Sequence, residues 1–192
     1  DVYKRQVREF LVNTSLLPDA SGGFSNWTVA TATEPGGPVG GVTPLAPPDG
    51  PGLRISRPAT NVHGETGVRQ DLNLDVRDLT SLNLVFHYRL HAQTLPGGGR
   101  DGSEYPLMVR VTYAEASGGL IPWFHGFYLV PPDTDTRTTV QAQGIVPQDT
   151  WQVYEGHLLE LAPRPSMIRS VELLGSGWSY DVDIAQVSLT GS

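Results

Sequence analysis

The alternation of apolar and polar residues across positions 82–91 constrains the fold of this chain more than any other sequence feature. Because a β-strand places successive side chains on opposite faces, this pattern predicts a strand with one face in a core. The predicted core-facing residues are Leu82, Leu84, Phe86, Tyr88 and Leu90. The residues between and after them are predicted to face largely towards solvent: Asn83, Val85, His87, Arg89 and His91. Helical periodicity is nearly absent elsewhere. The sequence therefore predicts an all-β protein.

Other segments carry the same strand pattern. They are residues 27–32, 53–56, 67–74, 107–113, 123–130, 151–161, 168–174 and 180–189. Segment 107–113 is predicted to pair with 82–91 as a long antiparallel hairpin, which would bury Val109 and Val111 with Leu84, Phe86 and Tyr88. About ten short strands joined by turns favour an antiparallel β-sandwich of the jelly-roll type.

Glycine (22 residues) and proline (16 residues) are abundant, as expected where many turns join short strands. The segments 34–52 and 96–102 hold few apolar residues, so we expect them to be mobile loops. Residues 131–143 are polar and are also predicted to form a loop. Gln70 falls on an otherwise apolar strand face and would need hydrogen-bond partners if buried.

Length and charge limit the class of protein. A chain of 192 residues suits a single β-sandwich, predicted to span 10–192 after a non-native or linker leader at 1–9. A net charge of −7 argues against nucleic acid as a partner. No apolar run is long enough for membrane insertion, and without cysteine there are no disulfides or thiolate metal sites. We expect the chain to be a piece of a longer protein with upstream domains.

Several segments resemble known domains. Residues 11–13, 24–28 and 180–189 are similar to the opening and closing elements of galactose-binding-like and carbohydrate-binding-module jelly rolls. Residues 102–113 and 123–128, with 151–155 and 175–180, resemble a domain of uncharacterised envelope proteins from Chloroflexi-type bacteria, some of which carry a FecR domain. The resemblance implies an extracytoplasmic bacterial location and brings no known catalytic residues.

The same resemblance implies a structural calcium ion near the first and last strands. Asp181 or Asp183 would supply a carboxylate ligand. The opening element, Asn13 to Leu16, lacks the acidic partner found in related modules. No other cofactor is predicted.

Four groups of residues could serve catalysis or metal binding. His63 and Glu65 precede a strand, but the sequence holds no His-x-His element of a cupin-like metal site beside them. His87 and His91 share a strand face, but four residues of a strand span about 13 Å, too far for one ion. Glu155 and His157 form an exposed pair without a neighbouring nucleophile. Asp181 and Asp183 have the close spacing of a retaining glycosidase pair, which stands about 5 Å apart, yet they open the closing strand. The chain is therefore predicted not to be an enzyme.

The prediction of glycan binding rests on the aromatic residues, because sugar rings stack on aromatic faces. Trp178 follows Gly175-Ser176-Gly177 and is expected to be exposed with Tyr180. Trp123 and His125 are further candidates, although alternation does not tell which face of their strand is outward. Trp151 is interpreted as a core residue. The predicted function is a non-catalytic carbohydrate-binding-like module. The alternatives are a structural or protein-interaction spacer and, third, a glycan-active enzyme.

Overall fold

The computed structural model describes residues 6–95, 97, 99, 102–132, 141–142 and 145–192. Within this part the chain forms twelve strands and one 3₁₀ turn, Leu158–Glu160. The strands are β1 Arg8–Glu9, β2 Thr28–Thr33, β3 Gly41–Pro44, β4 Leu53–Arg57, β5 Gly64–Asp75, β6 Leu82–Gln93, β7 Tyr105–Ala114, β8 Leu120–Phe127, β9 Gln141–Ala142, β10 Gln152–His157, β11 Met167–Gly177 and β12 Tyr180–Gly191. No helix in the described ranges is long and apolar enough to cross a membrane.

The strands form two six-stranded sheets. The front sheet has the order β10-β6-β12-β4-β3, with β1 also paired to β12, and the back sheet has the order β2-β5-β11-β7-β8-β9. Neighbouring strands are antiparallel, apart from the two-residue pairing of β8 with β9. The predicted all-β jelly-roll sandwich is confirmed.

The predicted hairpin of β6 with β7 is wrong, because the two strands lie in different sheets. β6 pairs with β10 and β12, whereas β7 pairs with β11 and β8. The predicted burial is nevertheless confirmed for the five residues concerned, which all have 0% exposure: Leu84, Phe86, Tyr88, Val109 and Val111. They meet across the space between the sheets. Alternation identifies a buried face but does not identify the strand that hydrogen-bonds to it.

Two segments that were expected to stand outside the strands contribute to the front sheet. Arg8 and Glu9, assigned to the leader, pair with the end of β12. The Glu9 carboxylate also accepts backbone N–H groups of Phe10, Leu11 and Leu189, which ties this segment to the sheet. Residues 41–44, within the predicted 34–52 loop, form the edge strand β3. An edge strand needs few apolar residues, so the composition of this segment did not predict a strand.

The side chain of Gln70 is buried and forms hydrogen bonds, as a buried polar group requires. It is 4% exposed, its side-chain oxygen accepts the N–H of Val12 at 2.8 Å, and its amide donates to the Val12 carbonyl at 2.9 Å. The amide thus joins β5 to the N-terminal segment. Of the predicted loops, positions 96, 98, 100, 101, 133–140 and 143 lie outside the described residues. Gln141–Ala142, within the predicted 131–143 loop, form the short strand β9.

The centre of the sandwich is aromatic. Phe86 and Tyr88 of β6, with Tyr154 of the adjacent strand β10, pack against Phe127 of β8 in the other sheet, and the ring centroids of Tyr88 and Phe127 are 4.6 Å apart. His125 of β8 adds a fifth ring, 5.0 Å from both Phe127 and Tyr154. The sheets are therefore held together by ring contacts rather than by aliphatic packing alone.

His125 is expected to make the protein less stable in mild acid. Both its ring nitrogens are buried without a partner in the described part of the chain, and burial lowers its pKa to about 4. The unfolded chain, with a pKa near 6.5, binds a proton that the folded chain resists. The free energy of unfolding should therefore fall by roughly 2 kcal/mol between pH 6.5 and 4, after allowing for partial exposure.

Urea denaturation at pH 4, 5, 6 and 7 measures this effect against His125→Phe. The variant should lose this component of the acid decline, because phenylalanine does not titrate. Parallel pH profiles for the parent and the variant would contradict the assignment.

Candidate functional site

The outward face of the front sheet carries a network of charged residues. β6 contributes Arg89 and His91, β12 contributes Asp181 and Asp183, and β4 contributes Arg54. Asp183 lies opposite Arg89 on one side and Arg54 on the other in the strand register. We call these five residues, together with Asp49, Asp149 and Trp151 from adjoining loops, the outer-face cluster.

Asp183 is the buried centre of this cluster. It is 1% exposed, and its Oδ2 accepts hydrogen bonds from Arg89 Nε at 3.0 Å and Nη2 at 2.6 Å. His91 Nε2 lies 2.7 Å from the same oxygen. The other oxygen, Oδ1, is buried and has no partner in the described part of the chain. A buried carboxylate needs cationic partners, so Arg89 and His91 are held close to the sheet.

Arg89 connects this centre to an aromatic ring. Its guanidinium reaches the Asp49 carboxylate at 2.9 Å, and this hydrogen bond lowers the pKa of Asp49. The guanidinium carbon also lies 4.8 Å from the centroid of the Trp151 ring. Trp151 is half-buried, so this contact fixes the orientation of a ring that still reaches solvent.

The rest of the cluster is similarly paired. Arg54 binds Asp181 through two parallel contacts, Nε to Oδ1 at 2.7 Å and Nη2 to Oδ2 at 2.5 Å. Asp149, from the loop before β10, lies 2.6 Å from His91 Nδ1. The polar groups of this face are consequently held in fixed positions, as a ligand surface requires.

The donor set of this face does not fit the predicted calcium ion. The carboxylates of Asp181 and Asp183 already accept guanidinium groups of Arg54 and Arg89. A calcium ion would have to displace these cations, and it needs six to eight oxygen ligands. No group of three or more acidic, histidine or cysteine side chains suited to a metal occurs among the described residues.

An open depression of about 300 Å³ continues the outer face beyond Arg89. Its polar lining includes His87 of β6 and Ser188 of β12, with Thr14 and Ser15 from the N-terminal segment. Gln186, at φ 50°, lies at the bulge where β12 slips against β6. The bulge interrupts the sheet surface and leaves room beside the cluster.

Three of the predicted glycan-binding residues face the interior. Tyr180 is 1% exposed, and its hydroxyl hydrogen-bonds Thr66 at 2.8 Å, so the expectation that it is exposed is wrong. Trp123 and His125 lie on the inward face of β8 with Phe127, where their rings stack on one another. Tyr180 begins β12 on its core-facing register, which the preceding glycines do not change.

Trp178 lies elsewhere, in the turn between β11 and β12, and is half-buried. Its backbone N–H donates to Glu104 at 2.8 Å, and its carbonyl accepts from Arg57 at 3.0 Å. The backbone of this turn is therefore held firmly. Neither contact brings Trp178 to the outer-face cluster.

Trp151, which the sequence placed in the core, is the aromatic residue of the outer-face cluster. It immediately precedes β10 and is reached by Arg89 of the neighbouring β6. Alternation had already placed Arg89 and His91 on the outward face. The signal that could have identified Trp151 is an aromatic residue at the end of a strand whose neighbour carries outward-facing charged residues.

Comparison with known proteins supports the fold. No protein-family model and no curated protein sequence matches the chain. Among solved structures, the family 11 carbohydrate-binding module of the cellulase Lic26A-Cel5E from Clostridium thermocellum matches 97% of this chain and 96% of its own, with 14% identity and TM-score 0.53. The family 11 xylanase from Neocallimastix patriciarum matches 99% of this chain and 97% of its own, with 13% identity and TM-score 0.51.

A longer protein also contains a similar fold. The enzymatically active domain of bacteriophage CBA120 tailspike protein 4 matches 94% of this chain with 12% identity and TM-score 0.52, and this chain spans 21% of its length. At such identities the likeness shows the fold alone. The chain thus shares its fold with a carbohydrate-binding module, a xylanase and the enzymatically active domain of a tailspike protein.

Proposed function

We propose that this domain binds a neutral polysaccharide through the outer-face cluster and does not cleave it. The observation that carries the proposal is the half-buried Trp151 ring fixed by Arg89 beside the paired carboxylates of Asp49 and Asp183. A sugar ring needs an aromatic surface for its apolar face and fixed donors and acceptors for its hydroxyl groups. The cluster provides both.

The balance of charge in the cluster favours an uncharged glycan. Its cations are Arg54, Arg89 and His91, and each contacts at least one aspartate. No excess positive charge is left to attract uronate or sulfate groups, and the whole chain carries a net charge of −7.

The same pairing favours binding over catalysis. A glycosidase needs one carboxyl group that donates a proton and a second that attacks or activates water. Asp181 and Asp183 instead accept guanidinium groups. The similar fold of the Clostridium carbohydrate-binding module agrees with a binding role. The proposal includes a location outside the cytoplasm of a bacterium.

The test begins with an array of plant and bacterial polysaccharides, followed by titration calorimetry on the glycan that binds. Trp151→Ala should weaken binding at least about tenfold, the size expected from loss of one stacked ring. Trp178→Ala is the matched control, a half-buried tryptophan in a different turn, and should leave the affinity within about twofold.

The reverse ranking of the two variants would move the site to the β11–β12 turn. If the folded parent binds no glycan, the proposal is wrong and a structural or protein-interaction spacer becomes the better interpretation. Release of shorter saccharides during incubation would instead show an enzyme.

A further inference from the structure

His91 contacts two carboxylates from different parts of the chain. Its Nε2 lies 2.7 Å from Oδ2 of Asp183 on β12, and its Nδ1 lies 2.6 Å from Oδ1 of Asp149 in the loop before β10. A neutral imidazole carries one N–H and can donate to only one carboxylate. Both contacts together therefore require the imidazolium form.

The surrounding charges favour that form. Besides its two partners, the charged groups around His91 are Arg89 on its own strand, Asp181 on β12 and Asp49 in the β3–β4 loop. Arg54 of β4 stands beyond Asp181. Burial by itself would lower the pKa of His91, but the hydrogen bonds to Asp183 and Asp149 outweigh it and raise the pKa above its ordinary value.

The two carboxylates would respond differently to loss of the proton. The Asp183 side chain is 1% exposed and keeps Arg89 as a partner, whereas the Asp149 side chain is 63% exposed. Water can replace the partner of an exposed carboxylate at little cost, but not that of a buried one. Deprotonation should therefore break the Asp149 contact and spare the Asp183 contact.

Asp149 stands two residues before Trp151. We propose that the charge on His91 controls the position of the loop 145–151 and, through Trp151, the affinity of the outer-face cluster for its glycan. The second half of this inference rests on the proposed function. Two further contacts, Gln148 to the His91 carbonyl at 2.7 Å and the Asp149 N–H to the Leu90 carbonyl at 2.9 Å, do not titrate. They keep the loop on the sheet, so the change is local.

The sign follows from the raised pKa. We call the two contacts of His91, to Asp183 and Asp149, the clamp. The clamp is complete below pH 6.5 and is lost as the pH rises through the folded-state pKa of His91. Glycan affinity should fall about fivefold between pH 6 and pH 9, the size expected for one ion pair whose carboxylate is exposed to solvent.

Titration calorimetry at the two pH values tests the affinity. His91→Gln should give the weaker affinity at both pH values, because glutamine cannot become a cation. The matched control is His157→Gln: His157 lies exposed on β10, bonded to Asn83, and its loss should preserve the fivefold fall. An equal fall in His91→Gln, or a parent affinity independent of pH, overturns the proposal.

Nuclear magnetic resonance tests the clamp without any glycan. Both ring nitrogens of His91 should carry protons at pH 6, and the Trp151 indole N–H signal should shift with the same midpoint as His91. A neutral ring at pH 6, or an indole signal that ignores the His91 titration, overturns the clamp. If the clamp titrates as expected but no glycan binds, the proposed function fails, and the affinity part of this inference fails with it.

Discussion

Replacement of Phe86 by alanine is expected to lower the free energy of unfolding by about 3–5 kcal/mol. Phe86 has 0% exposure, and its ring lies 5.1–5.9 Å from those of Tyr88, Phe127 and Tyr154. These rings come from both sheets, so alanine would leave a cavity where the sheets meet. Chemical denaturation of the parent and the variant at one pH measures the difference.

Phe124→Ala is the matched control. Phe124 lies on the opposite face of β8 from Phe127, half-buried beside a small outer cluster with Leu174 and Met108. The guanidinium carbon of Arg110 lies 5.3 Å from the centroid of its ring. Because less surface is buried there, its loss should cost only about 1–2 kcal/mol. Equal costs for the two variants would show that the aromatic centre is not the main contact between the sheets.

Replacement of Arg57 by leucine is expected to cost a similar amount, about 3–5 kcal/mol. Arg57 is 3% exposed, and its guanidinium donates to four backbone carbonyls. These are the carbonyls of Pro38, Val62, Gly177 and Trp178, at 2.7–3.0 Å. Leucine would leave these carbonyls unpaired and would loosen three connections at one end of the sandwich at once.

Two further variants separate charge from geometry. Arg57→Lys keeps the charge but lacks the planar fork, so it should recover less than half of the loss. Arg77→Gln removes an arginine whose side chain is 71% exposed and pairs with Asp75; it should leave the free energy of unfolding close to that of the parent. A leucine variant within 1 kcal/mol of the parent would show that water can replace the guanidinium.

Much of the fold could be predicted because alternation is local. Phe86 and Val109 were assigned to buried faces from period-two spacing, and both are buried. Gln70 was placed by the same spacing on an otherwise apolar face, and it is buried too. Short edge strands were missed: β3 has four residues and β1 has two. Such strands gain their stability from a longer neighbour, so their own composition carries little signal.

The outer-face cluster could be predicted only in part. The sequence placed Arg89 and His91 outward, but their partners Asp49 and Asp149 lie 40 and 58 residues away. Trp151 appeared to be a core residue because a large aromatic ring near a strand usually is. Its position depends on Arg89 of the adjacent strand, whose guanidinium reaches its ring.

By itself, the sequence determined the all-β class, the positions of the long strands and which of their faces is apolar, because side-chain direction in a strand follows from spacing along the chain. Only the tertiary structure decided that β6 and β7 belong to opposite sheets. It also decided that Tyr180 points inward while Trp151 stays half-buried beside Arg89. These outcomes depend on strand order and on which distant residues meet, and both are set by pairings between segments far apart in the chain.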